Sequence, residues 1–252
     1  MTELVEGATQ PPAVSETSLS PLARLVAVFA RPARAWDGLR THAQWWFPLL
    51  ITVLIGCAGS ALLQKRALIP MMTDTWEESV QAGRMQPQAA ERMEQFFESP
   101  AGYAVTLGQQ VVIIPVFILL VALAIWFGVG FVLGTGLKYR LALELAAWGS
   151  LINVPAQIIA FAEAWALQTF KGVHVGLGAL LPSDSHAKLM VGLRVFLDAI
   201  GPFSIWYLVV TVLGAAALSG APRKSVAWVL VTLYLVIMAC IAVIAALFAP
   251  GS

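Results

Sequence analysis

Long apolar runs alternate with short polar segments along this chain, and five of those runs have the length of a bilayer crossing. They cover residues 46–64, 109–135, 143–168, 200–219 and 226–249. A helix needs roughly 20 mostly apolar residues to traverse the hydrocarbon core. The pattern therefore predicts an all-α integral membrane protein, a bundle of five transmembrane helices with amphipathic helices at its interfaces. The fifth run carries no charge between Val226 and Ala249, whereas the third contains Glu144, Asn153, Gln157 and Glu163.

Outside these runs the periodicity is amphipathic. Ser20-Pro21 reads as an N-cap followed by a first-turn proline, and Leu22, Leu25, Val26 and Phe29 recur at helical spacing beyond it. With Arg24, Arg31 and Arg34 close by, this predicts a helix lying on a membrane leaflet and broken at Pro32. In the polar stretch after the first span, Pro87 opens a second helix with Ala90, Met93 and Phe97 on one face and Glu91, Glu94 and Glu98 on another. A third amphipathic stretch, 187–199, leads into the fourth span. The expected organisation is a disordered polar tail over 1–20, a juxtamembrane region over 21–45 and a membrane domain over 46–249 with an extracytoplasmic loop at 65–108.

The basic residues orient the bundle. Arg24, Arg31, Arg34 and Arg40 precede the first span, Lys138 and Arg140 lie between the second and third, and Arg223 and Lys224 lie between the fourth and fifth. With five spans these segments share one side, which the positive-inside rule makes cytoplasmic. The opposite side receives Asp74, Glu77, Glu78, Glu91, Glu94 and Glu98, although Lys65, Arg66, Arg84 and Arg92 lie there too. Trp45, Trp46, Trp148 and Trp228 are expected at the cytoplasmic interface and Trp165 at the other.

Composition agrees with the pattern. The 252 residues are 59% hydrophobic and 12% charged, with a mean hydropathy of +0.81. A soluble domain carries about 25% charged residues, so an apolar surplus must meet lipid. Fifteen basic against fourteen acidic residues leave no electrostatic footprint for nucleic acid. Residues 1–20 contain no apolar leader segment, so the first span is expected to serve as its own insertion signal. Cys57 and Cys240 lie inside apolar runs and match no disulfide or metal pattern.

Ionisable and polar groups at membrane depth are the candidates for chemistry. Glu163 lies near the outer end of the third span and is read either as a carboxylate reaching outer-side water or as part of an ion or proton relay. Glu144 follows Arg140 by four residues, the spacing of a helix-face ion pair. Asn153, Pro155 and Gln157 form a polar, broken patch, read either as interhelical hydrogen bonding or as a site on a kinked helix. Pro115 interrupts the second span in the same way, and Asp198 stands just before the fourth. The run from Gly128 to Gly134 misses a dinucleotide fingerprint by one residue and follows no strand, so Gly130 and Gly134 are read as helix-packing glycines. His42, His174 and His186 are scattered, and His174, Asp184 and His186 match no zinc spacing. No catalytic constellation, metal set or cofactor motif emerges.

The segment 29–36, Phe-Ala-Arg-Pro-Ala-Arg-Ala-Trp, resembles the proline-containing pre-membrane segment of bacterial Yip-domain proteins. Residues 128–155, ending Ala-Trp-Gly-Ser-Leu-Ile-Asn-Val-Pro, are similar to that family's second-to-third span region. Residues 197–206, Leu-Asp-Ala-Ile-Gly-Pro-Phe-Ser-Ile-Trp, continue through Gly214 to Arg223-Lys224 and are similar to its most specific block. The resemblance covers about residues 22–248. It implies a five-span bundle with a cytoplasmic N-terminus, and its eukaryotic branch comprises membrane-trafficking proteins that associate with Rab-type GTPases. The long loop 65–108 and the short N-terminal segment make the chain similar to the bacterial branch. The expected role is a non-enzymatic scaffold or adaptor of the cytoplasmic membrane, partnered by the lipid bilayer and by another membrane protein or itself, with a lipid between its helices. The alternative is a small transporter or channel built on Asn153, Gln157 and Glu163.

Overall fold

The computed structural model describes residues 19–182 and 187–249. The expected tail over 1–20 thus lies outside the described residues except for Leu19 and Ser20, as do Asp184 and His186. Among the described residues the chain is helical throughout, without strands, and five helices are long and apolar enough to cross a membrane.

Ten α-helices are connected as follows. Helix α1 (Pro21–Ala30) precedes a run of turns. Helix α2 (Trp46–Leu63) continues through a π-helical turn (Gln64–Leu68) into α3 (Ile69–Gln81). Helix α4 (Pro87–Glu98) folds back, and α5 (Pro100–Ile125) extends through a second π-helical segment (Trp126–Val132). Helix α6 (Tyr139–Ser150), a single 3₁₀ turn (Leu151–Asn153) and α7 (Val154–Leu167) form the third span. Helix α8 (Lys188–Asp198) lies against α10, followed by α9 (Pro202–Ser219) and α10 (Arg223–Phe248).

The first crossing is longer than its apolar run suggests. Residues 46–81 form one helical rod of 36 residues, about 54 Å at 1.5 Å per residue, against a hydrocarbon core of about 30 Å. The surplus is the polar α3, which pairs with α4 so that Trp76 and Phe97 meet at 5.9 Å between ring centroids. The loop expected over 65–108 is therefore a helical hairpin followed by the first turns of α5. Gln64 Nε2 donates to Phe97 O at 2.9 Å, and Arg66 stacks on Trp165 at 4.4 Å while its Nε donates to Trp165 O. These contacts brace the hairpin's base against α4 and α7.

Proline positions explain the breaks. Pro115 sits inside α5, which runs on through it, whereas Pro155 opens α7 directly after the 3₁₀ turn, where a missing N–H leaves no bond unmade. The packing glycines differ from expectation. Gly134 ends the second span with φ +62°, a left-handed conformation that glycine adopts without Cβ strain, and nothing lies near it. Gly130 abuts Leu137 and Trp126 of its own span and the adjoining turn, and it is Gly128 that faces α10 at Val229 and Leu233. Close interhelical approach also occurs at Gly56, Gly149, Gly192 and Gly214. A Cβ on Gly149 would lie 2.8 Å from Tyr207 Cε2, and one on Gly192 2.9 Å from Ala242 O. Small residues at crossings let helices pack by dispersion where lipid supplies no hydrophobic drive.

Candidate functional site

Two places in the bundle concentrate polar groups at unusual depth. The first lies at the end where α1, the start of α2, the start of α6 and the end of α9 converge. Ser20 caps α1 by accepting from Ala23 N at 3.3 Å, and Pro21 occupies the first helical position. The helix ends before Pro32, and residues 31–42 return in turns under it. Arg24 reaches into that return. Its Nε donates to Gln44 Oε1 at 2.9 Å, its Nη2 to Asp37 O at 2.8 Å and its Nη1 to Ala35 O. The guanidinium also lies 5.7 Å from the Trp148 ring centroid.

Glu144 completes the cluster. Its Oε1 accepts from Gln44 N at 2.8 Å, and Arg140 Nη1 approaches the same oxygen at 3.9 Å. Arg140 Nη2 donates onward to Arg40 O at 2.7 Å, and Arg40 Nη2 to Leu218 O at 2.8 Å. Both Arg24 and Glu144 are 0% exposed. Burial pushes the Arg24 pKa down, opposed by the negative charges of Glu144 and Asp37. A guanidinium starts so high that it remains a cation here. Trp36 fits beside α9 because Gly214 has no side chain: a Cβ there would lie 2.7 Å from Trp36 Cδ2.

This arrangement corrects two expectations and adds to a third. Arg24 is buried in protein rather than spread on a leaflet with Arg31 and Arg34. The Arg140–Glu144 pair exists, but the shortest hydrogen bond to Glu144 comes from a backbone N–H a hundred residues away. Trp148 is fully buried, stacked on Phe47 at 5.9 Å, and is no interfacial anchor, while Trp46 and Trp228 are exposed. The one local signal for Arg24 is that it shares a helix face with Ala27 and Val28, both buried, while Leu22, Val26 and Phe29 lie on the other face.

The second place is a cavity of about 520 Å³ between α5, α6, α9 and α10. Apolar side chains dominate its walls, and Ser150, Asn153, Ser204, Tyr207, Thr211 and Tyr234 supply the polar lining. Asn153 thus faces this cavity, whereas Gln157 and Glu163, both half-buried on α7, are not part of its lining. The structure brings one of the three predicted polar residues into a concave site and leaves the other two apart.

Asp198 belongs to neither place. It ends α8, and its Oδ2 lies 2.6 Å from His174 Nδ1, both side chains partly buried. Gly178 accommodates the carboxylate and Gly176 the Asp198 backbone carbonyl. Among the described residues no cluster of three or more His, Cys, Asp or Glu side chains is placed to hold a metal ion.

A family model described as the Yip1 domain matches residues 26–245. No curated protein and no solved structure matches the chain.

Proposed function

The chain belongs to the Yip1-domain family, and from that premise we propose that it is a non-enzymatic scaffold or adaptor of the cytoplasmic membrane, N-terminus inside and C-terminus outside. The observation that supports this reading is the fixed attitude of α1. Arg24 ties the helix to the membrane domain through three acceptors, and Ala27 and Val28 are buried beside it. Leu22 and Val26, 67% and 64% exposed, then form an outward stripe with Phe29. A helix free to roll would hide such a stripe. A pinned helix presents it at a constant angle, as a helix-in-groove contact requires.

The surrounding charge favours the inner leaflet. Arg31, Arg34 and Lys138 on this side suit the anionic cytoplasmic surface, where each basic residue adds about 1 kcal/mol of attraction. The partner is a membrane protein, or a second copy, whose helix lies at the same interfacial depth. A transporter built on Asn153, Gln157 and Glu163 would need all three along one path, and of the three the cavity between α5, α6, α9 and α10 is lined by Asn153 alone.

A photo-crosslinking residue at Val26, activated in cells, should capture the same membrane protein, or a dimer, in repeated preparations. Leu22→Glu should abolish the adduct while the chain still inserts and folds. A protein that purifies as a monomer, with only lipid adducts at position 26, would refute the adaptor role.

A further inference from the structure

We infer that the stretch between the third and fourth spans is a re-entrant element set in the leaflet opposite α1, with α8 descending through it and the acyl chains of that leaflet as its partner. The inference is independent of the adaptor reading. It starts from the contacts between α8 and α10. A Cβ on Gly192 would lie 2.9 Å from Ala242 O and 3.0 Å from Ala246 Cβ, so the two helices touch there along their backbones. Further along α8, Ala199 O accepts from Tyr234 Oη at 2.5 Å. Residue numbers rise along α8 as they fall along α10, so the two helices run antiparallel.

Position along α10 gives the depth. The helix begins with Arg223 and Lys224 and carries no charge from Val226 onward. With Val226 at one edge of a hydrocarbon core of about 30 Å, Ala242 and Ala246 stand about 24 Å and 30 Å along it. Gly192 therefore docks just inside the opposite edge, and any tilt of α10 takes it deeper. Lys188, exposed at the start of α8, lies about 6 Å nearer the surface, level with the headgroups, and Asp198 about 9 Å deeper than Gly192.

The exposed side chains name the occupant. Leu180, in the 3₁₀ turn Leu177–Leu180, and Leu189 of α8 are each 80% exposed, and Leu177 and Leu193 are exposed beside them. Helix α8 packs against both this turn and α10, so these leucines adjoin the exposed Leu247 and Phe248 of the last turns of α10. Water-facing surfaces avoid apolar patches of this extent, and acyl chains cover α8 and α10 alike. The backbone is fitted to that setting, because non-helical chain is tolerated at membrane depth only where protein supplies its hydrogen bonds. Leu177 N donates to Ile200 O at 2.9 Å, Tyr234 serves Ala199 O, and Arg194 Nη2 donates to Pro182 O. His174 Nδ1, 2.6 Å from Asp198 Oδ2, pairs a carboxylate that would be costly alone within the leaflet.

The test places single nitroxides at Leu180→Cys, Leu189→Cys and Leu193→Cys in the intact chain, in a Cys57→Ala, Cys240→Ala background and phosphatidylcholine/phosphatidylglycerol vesicles. All three positions are exposed, so the labels leave the contact between α8 and α10 untouched. Power saturation compares collisions with oxygen, which partitions into acyl chains, and with a water-soluble nickel chelate. Oxygen should dominate at 180 and 193, and the chelate at an Ala82→Cys control. Position 193 should lie about 6 Å deeper than 189, the fall of a descending helix over four residues. Equal depths at 189 and 193 would mean a helix flat on the interface and would overturn the inference. So would chelate access exceeding oxygen access at 180 or 193, the signature of water, or low access to both reagents, the signature of a covering protein.

Discussion

Replacing Arg24 with alanine isolates what holds α1 to the bundle. The guanidinium serves Gln44 Oε1, Asp37 O and Ala35 O at once, and it is a positive charge near the buried Glu144. Alanine strands those acceptors and removes a positive charge from the neighbourhood of Glu144, whose ion pair is with Arg140 at 3.9 Å. Removing one partner of a buried ionic cluster costs about 3–5 kcal/mol. The loss falls locally, on the segment that Arg24 organises. Amide exchange over residues 21–45, followed in lipid nanodiscs, should therefore accelerate by about 10²–10⁴-fold while the cores of α5 and α10 stay protected. Arg24→Lys restores the charge without the planar fork and should fall between the two. Arg24→Met combined with Glu144→Leu should cost less than the sum of the single changes, because an apolar pair leaves no charge stranded. Exchange over 21–45 within threefold of the parent in Arg24→Ala would refute the idea that this residue is the pin.

Two further expectations concern packing and topology. Gly214→Ala places a Cβ 2.5 Å from Leu145 Cδ2 and should lower stability by about 1–3 kcal/mol, read as a fall in the melting temperature in detergent. Gly108→Ala, with nothing within 4 Å, should be neutral or stabilise by up to about 1 kcal/mol; equal losses in both would show that space around Gly214 is not limiting. In a Cys57→Ala, Cys240→Ala background, Ala82→Cys should react with an impermeant reagent on intact cells and Lys224→Cys only after permeabilisation. The reverse pattern would invert the proposed orientation.

The crossings were readable because membrane insertion depends on local composition: some 20 apolar residues in a row announce a span whatever they later touch. The cytoplasmic approach was half readable. Proline and amphipathic spacing mark α1 and its end, because capping and periodicity are also local. The burial of Arg24 was not, since it depends on Gln44, Trp148 and Glu144, which lie 20 to 124 positions away along the chain. Nor was the 36-residue rod readable, because hydropathy drops at Lys65 and Arg66 while the backbone helix continues. In the cavity, Asn153 was a visible anomaly in an apolar run. Thr211 was not, since a threonine in an apolar run carries no local sign of whether it will line a cavity.

The rod formed by α2 and α3 is a lever. Residues 46–63 form its apolar part and residues 69–81 its polar part, joined in one continuous helix through the π-helical turn at Gln64–Leu68. The overhang beyond Leu63 is 18 residues, about 27 Å. A 10° change in tilt of α2, of the size by which spanning helices adapt to bilayer thickness, would sweep its tip by about 5 Å. Lys171, 3.7 Å from Asp74 and 3.4 Å from Glu78, ties the overhang to the segment after α7, so the same sweep pulls on the stretch leading to His174 and Asp198. A tilt of α2 that followed membrane thickness would in this way displace the polar α3.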